Sequence, residues 1–289
     1  MSSRIKSTLV RSISGIVFLA IMVGSMFMSP IAFGAVMAFA VGLMLYEYLL
    51  MTLGGHFKLA QGLTVAAGVT LYTLVYLYKG YNIDPKWFYL MTIPLSSIFI
   101  SLLYYKGDKE DTSSDSTDRY KTHPFLYTSL IYIALPFSLT SFILFDSELN
   151  YKPLLLLSMF IITWASDVGA YIFGMLFGQK GGHKLFPSIS PKKSWEGFFG
   201  GLFCGLLAGL LVWLFSLTDF SFIHSIIISL IISLTGVTGD LVESQLKRNF
   251  GAKDSGKLMP GHGGLLDRFD ATLISFPLAI TYIKLFSLI

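Results

Sequence analysis

Long apolar runs separated by short polar segments dominate the chain. They fall at Ile13–Met28, Ile31–Leu53, Leu59–Tyr78, Trp87–Tyr105, Phe125–Phe145, Pro153–Phe177, Gly197–Leu217, Phe222–Thr238 and Phe269–Ile289. Each approaches the roughly 20 residues that a helix needs to cross a bilayer. None shows the ten-residue alternation of a membrane barrel, which leaves helices as the spanning element. The pattern predicts an all-α, polytopic integral membrane protein with about nine transmembrane helices. The first two runs are divided only by Ser29 and Pro30, so a different division of that stretch stays open. Arg4, Lys6 and Arg11 ahead of the first run resemble the start of a secretory leader, but no small-residue cleavage site follows. An uncleaved first span is expected.

Composition agrees with this pattern. The chain is 54% hydrophobic and 13% charged, with a mean hydropathy of +0.67, whereas soluble domains carry about 25% charged residues. A water-soluble globular domain is excluded. The single cysteine, Cys204, excludes an intramolecular disulfide. The net charge of +4 is modest, and its distribution says more. With the N-terminus in the cytoplasm, the inside segments are 1–12, 54–58, 106–124, 178–196 and 239–268. Those segments hold 17 of the 21 lysines and arginines, and only Lys79, Lys86, Lys152 and Lys284 fall outside. That asymmetry is the one expected of alternating spans with a cytoplasmic N-terminus. The segment 106–124, rich in Ser and Asp, is expected to be a mobile cytoplasmic loop between an N-terminal group of spans (1–105) and a C-terminal group (125–289). Its Asp108, Asp111, Asp115 and Asp118 lack the glycine and closing glutamate of a calcium loop.

Chemistry concentrates in 239–270, a charged island between two apolar runs. Asp240 and Glu243 are three residues apart, as are Asp267 and Asp270, so each pair shares a helical face. Hard oxygen ligands suit Mg²⁺, which binds through one or two carboxylates plus substrate phosphates. Lys247, Arg248, Lys253, Lys257 and Arg268 supply cations for a polyphosphate. Between the acid pairs, Gly261, His262, Gly263 and Gly264 form a turn whose backbone can approach a ligand closely. The competing reading is a salt-bridged loop on anionic headgroups. Outside the island, Asp167 places a carboxylate in an apolar helix, where charges are normally paired or functional. Lys192, Lys193 and Ser194 lead into the seventh run and suit a phosphate site at a helix start, or a simple interfacial anchor. Cys204, with Gly200, Gly201 and Gly205 nearby, reads as helix packing. There is no Walker A, GxSxG, CxxC or HExxH motif.

These residues resemble the signature of the phosphatidate cytidylyltransferase family. It reads here as Ser244, Lys247-Arg248, Lys253-Asp254, Gly256, Pro260, His262-Gly263-Gly264 and Asp267-Arg268-Phe269-Asp270, with Met259 a volume-conserving departure before the proline. The family's Ser-Pro-Lys-Lys-x-x-Glu-Gly block is similar to 190–197, and its intramembrane aspartate to Asp167. The likeness is specific over about 164–270. It implies transfer of the cytidylyl group of CTP to phosphatidate, giving CDP-diacylglycerol and pyrophosphate in phospholipid biosynthesis. It implies catalytic roles for Asp240, Asp267, Asp270, Lys247 and Arg268. Mg²⁺ would be held by Asp240, Asp267 and Asp270, with Asp167 and Glu243 as further ligands or supports and a second metal ion as an option. Substrate contacts fall to Lys192, Lys193, Ser194, Arg248, Lys253, Lys257, His262, Gly263 and Gly264. The expected partners are CTP, phosphatidate and membrane lipid, with no nucleic acid; a homodimer is compatible. A bacterial cytoplasmic membrane is the expected location. The rivals are a lipid kinase using CTP, a transporter with Asp167 on an ion path, and a lipid-binding scaffold. The last leaves the acid pairs unexplained, and charges gathered at one interface argue against the transporter.

Overall fold

The structure, a computed structural model, describes residues 3–103, 122–179, 182–256, 258 and 263–289, with side chains from residue 13 onward. The segment expected to be a mobile loop lies almost wholly outside the described residues, as do Lys257 and His262. Among the described residues the protein is an all-α, polytopic membrane protein. Its helices are α1 (Ser3–Met28), α2 (Pro30–Leu53), α3 (Lys58–Tyr81), α4 (Pro85–Leu103), α5 (Phe125–Leu144), α6 (Pro153–Phe177), α7 (Trp195–Leu214), α8 (Phe222–Asn249) and α9 (Asp270–Leu285). Seven of these, α2 to α8, are long and apolar enough to cross a membrane. The other two, α1 with its apolar stretch Ile13–Met28 and the 16-residue α9, lie where the first and last spans were expected. A two-stranded antiparallel hairpin, β1 (Lys184–Phe186) and β2 (Ser190–Ser194), joins α6 to α7.

Helices form because a chain in lipid must satisfy its backbone within each segment. Local signals then set the boundaries. Ser29 caps α2 by accepting the Ala32 N–H at 3.0 Å, and Pro30 takes the first helical position, so α1 and α2 are separate helices. The eighth helix runs 28 residues, eleven past the expected end at Thr238. Low hydropathy there marks the end of the membrane, not the end of the helix. Leu, Val, Glu, Gln, Lys and Arg are all good or tolerable helix formers, and the helix stops only at Asn249, just before Gly251 with φ +65°.

The described chain groups into two compact units. The first comprises 1–138 and 254–267, the second 139–253 and 268–289. In the first unit, α2 and α3 cross at Gly34, against which the Tyr76 ring lies, and the Tyr76 hydroxyl donates to the Pro30 carbonyl at 2.6 Å. Tyr48 packs near Tyr132 and Phe125, with ring centres 6.0 and 6.4 Å away. Tyr132 belongs to a π turn at Leu130–Ala134 within α5.

Small residues organise the second unit. Gly197, Gly201, Gly205 and Gly209 recur every fourth position along α7. The first two meet the Ala170 and Ser166 carbonyls of α6, where a Cβ would lie 2.8 and 2.9 Å from the oxygens. The next two lie against Ser233 and Ser229 of α8. Cys204 packs on Gly169 of α6, in the packing role its neighbours suggest. Phe160 of α6 joins α9 through Phe276, with ring centres 4.9 Å apart, and through Phe269 just before α9, at 6.2 Å.

Candidate functional site

The second unit gathers most of the expected site residues around the end of α8 and the start of α9. The two helices touch at Gly239, where a Cβ would sit 2.6 Å from the Asp270 carbonyl oxygen. Only a residue without a side chain lets the backbones come this close. The next residue, Asp240, receives the Lys193 ammonium on Oδ2 at 2.7 Å and the Ser244 hydroxyl on Oδ1 at 3.1 Å. One turn later, Glu243 is fully buried and pairs with Lys247 at 3.3 Å, itself 8% exposed. Asp270 opens α9, accepts the Ala271 N–H at 2.7 Å and lies within electrostatic reach of Asp240 and Lys247. Asp167 of α6 lies within electrostatic reach of Asp240, Asp270, Lys193 and Arg268.

Lysines 192 and 193 lie on β2, ahead of α7 and not within its first turn. Ser194 is the N-cap of α7, its Oγ accepting the Gly197 N–H at 3.2 Å. Glu196 accepts the His183 N–H at 3.0 Å, and the Trp195 N–H donates to the His183 carbonyl at 2.9 Å. These contacts tie the base of the hairpin to α7. Lys193 is thereby aimed at Asp240, while Lys192 is exposed. Arg248 is exposed and donates to the Ala252 carbonyl at 3.1 Å; Lys253 is exposed. Arg268 is exposed and closes a 3-10 turn, Leu266–Arg268.

The loop 254–267 belongs to the first unit. Asp267 is engaged within it: Oδ2 accepts the N–H groups of Gly264 at 2.8 Å and Ser255 at 3.0 Å, and Oδ1 accepts Ser255 at 3.2 Å. Gly263 has φ +84°, and a Cβ there would lie 2.6 Å from Asp267 Oδ2, so glycine is required on both counts. Gly264 is buried. Here the structure adds a residue that sequence reasoning missed. Glu47 of α2, 6% exposed, accepts Leu265 N–H on Oε1 at 3.0 Å and Leu266 N–H on Oε2 at 2.9 Å. A lone acid in an apolar span was the signal that singled out Asp167, and it applied equally to Glu47.

Among the described residues, no three His, Cys, Asp or Glu side chains form a group that could hold a metal by themselves. Magnesium asks for less: one or two carboxylates, the rest of its shell coming from water and substrate phosphates. Asp240 and Asp270, within electrostatic reach of each other, have the right chemistry for that.

Comparison with known proteins gives the site a setting. A sequence model of the cytidylyltransferase family matches residues 9–286. Three proteins named phosphatidate cytidylyltransferase are similar over part of the chain. That of Staphylococcus saprophyticus is 39% identical over 123 residues, that of Staphylococcus haemolyticus 42% over 123, and that of Staphylococcus aureus 40% over 125. Each alignment covers 43% of this chain and 46% of the relative, so the match spans about half the length of these relatives.

Proposed function

The chain belongs to the cytidylyltransferase family, and from that premise we propose that it transfers the cytidylyl group of CTP to phosphatidate, releasing pyrophosphate. A phosphate oxygen of phosphatidate attacks the α-phosphorus of CTP in line. The bond from that phosphorus to the oxygen bridging to the β-phosphate breaks, and CDP-diacylglycerol is left in the membrane. No covalent bond to the protein is needed. The protein's work is to position two anions against each other and to neutralise the charge that develops between them.

The observation that carries this reading is the gathering of Asp240, Asp270, Lys193 and Arg268 within electrostatic range of Asp167 in the second unit. Acids and cations together suit a divalent ion and a polyphosphate; either sign alone suits only one of them. Asp240 and Asp270 would hold Mg²⁺, with Asp167 close by, and the bound ion would neutralise phosphate oxygens as charge moves to pyrophosphate. Lys193 and Arg268 hold phosphate oxygens, and exposed Lys192, Arg248 and Lys253 draw the nucleotide in. Lys247, paired with Glu243, attracts Asp270 from inside α8. Asp267 is assigned to its loop, whose backbone N–H groups it collects. An N-terminus in the cytoplasm, supported by the lysine and arginine asymmetry, puts the charged segments on the side where CTP is found. The Staphylococcus relatives support a bacterial cytoplasmic membrane.

The test is direct. Purified protein in detergent micelles is given phosphatidate, Mg²⁺ and CTP labelled on the α-phosphate, beside Asp270→Asn. Label should enter the lipid with wild type and fall by at least about a hundredfold with the variant. No label in the lipid from folded wild type, under conditions where a known cytidylyltransferase works, rules the activity out.

A further inference from the structure

Helices α1–α5 contain a single acidic residue, Glu47. A buried carboxylate in an apolar helix is costly unless its oxygens are fully engaged. Glu47 turns to the loop 254–267 for its partners. Oε1 takes the Leu265 N–H at 3.0 Å, and Oε2 takes the Leu266 N–H at 2.9 Å with the Ser255 hydroxyl at 3.4 Å. Asp267 meets the same serine from the other side, accepting its N–H. Ser255 and Leu265–Leu266 lie at opposite ends of the loop, so the two carboxylates together close its neck.

Two further facts show that the neck of the loop is shaped around this carboxylate. Gly256 and Gly264 both lie on it. A Cβ at Gly264 would be 2.6 Å from Oε2, and one at Gly256 would press on the carboxylate. Each carboxylate oxygen thus takes a backbone N–H that can only donate. A glutamine at this position would have to present its NH₂ to one of those two N–H groups.

We propose that Glu47 is a positioning residue that, from within helix α2, fixes the neck of this loop, residues 254–256 and 263–267, and with it the chain that runs on into Arg268 and Asp270, and so sets the rate of the reaction without touching substrate. Its effect on rate rests on the cytidylyl transfer proposed above; its hold on the loop does not.

The experiment uses the full-length protein in detergent micelles, comparing wild type with Glu47→Gln. Hydrogen–deuterium exchange is followed by mass spectrometry on peptides from 254–267 and from α2 and α3. In Glu47→Gln the loop should exchange about tenfold faster or more, with α2 and α3 within about twofold of wild type. In the same preparation, kcat for transfer from α-labelled CTP should fall at least about tenfold while KM for phosphatidate stays within about threefold. That split is not expected of a residue that only contributes stability. Should Glu47→Gln fail to fold, Ser255→Ala removes one donor and leaves the carboxylate in place, and its loop should still exchange about threefold faster. An unchanged loop in the folded variant, or acceleration shared equally by α2 and α3, overturns the clamp. A loosened loop with undiminished kcat overturns the effect on rate. No transfer by wild type itself removes the proposed function and leaves the exchange result to decide on the clamp.

Discussion

Gly239→Ala is the perturbation whose effect follows most directly from the packing of α8 on α9. The added Cβ would sit 2.6 Å from the Asp270 carbonyl oxygen, with the Ala271 oxygen at 3.1 Å and the Ala271 Cα at 3.2 Å. All three are backbone atoms, which cannot swing aside as the end of a long side chain could. Restoring an ordinary 3.4 Å contact from 2.6 Å moves α9 by about 0.8 Å relative to α8. Overpacking of this kind costs about 1–3 kcal/mol. The greater effect falls on function, because the shift separates Asp240 from Asp270, and a displacement of about 1 Å can cost about a hundredfold in rate. Gly236→Ala, one turn earlier on the same helix, is the control. There the new methyl meets the Ala271 Cβ at 3.6 Å, an ordinary contact, and alanine favours the helix by about 1 kcal/mol over glycine. Transfer from α-labelled CTP and thermal unfolding in detergent would be measured for both variants. Gly239→Ala should lose about tenfold to a hundredfold in kcat and unfold a few degrees lower, whereas Gly236→Ala should keep its activity within about twofold. Equal activity in the two variants would refute the reasoning.

Three other outcomes follow from the same geometry. Lys193→Ala strips Asp240 of the cation 2.7 Å away, and kcat/KM for CTP should fall by about a hundredfold, with Lys193→Arg recovering part of it; a loss under about threefold would remove Lys193 from the site. Removing divalent ions with EDTA should abolish transfer, and added Mg²⁺ should restore it; undiminished transfer in EDTA would contradict a magnesium requirement. In the loop between α5 and α6, the Asn150 backbone N–H, then the Asn150 amide, the Glu148 N–H and Lys152, hold the Asp146 carboxyl down to about 2 from its ordinary 3.8. A lowered carboxyl stabilises the fold above pH 3.8, and that contribution disappears as the pH falls toward 2. Asp146→Asn should therefore destabilise at pH 6 and lose most of that effect at pH 2; an equal effect at both values would contradict the assignment.

Much of the architecture was legible because lipid imposes a simple rule: apolar runs near 20 residues become helices. The boundary at Ser29 and Pro30 was equally readable, being a cap and a helix-starting proline. The end of α8 was not, since hydropathy reports where lipid stops and says nothing about where hydrogen bonding stops. Among the site residues, the spacing of Asp240 and Glu243 put both on one helix, as they are on α8. The same spacing put Asp267 and Asp270 on one helical face, whereas the chain places Asp267 in a 3-10 turn and Asp270 at the start of α9. Lys193 was read near a helix start, and its approach to Asp240 depends on a hairpin whose ties to His183 and Glu196 no periodicity displays. Glu47 was legible as a lone acid in an apolar run, but its partners were not, since Ser255 lies 208 residues away in sequence. A lone carboxylate reveals its cost, but the fold alone reveals its partners.

The central claim is cytidylyl transfer, and CTP carrying distinguishable labels on its α- and γ-phosphates tests it most directly. Incubated with wild type, phosphatidate and Mg²⁺, the α-label should appear in the lipid and the γ-label in pyrophosphate, in equal amounts. Lipid carrying the γ-label, with CDP as the soluble product, would show phosphoryl transfer and contradict the account.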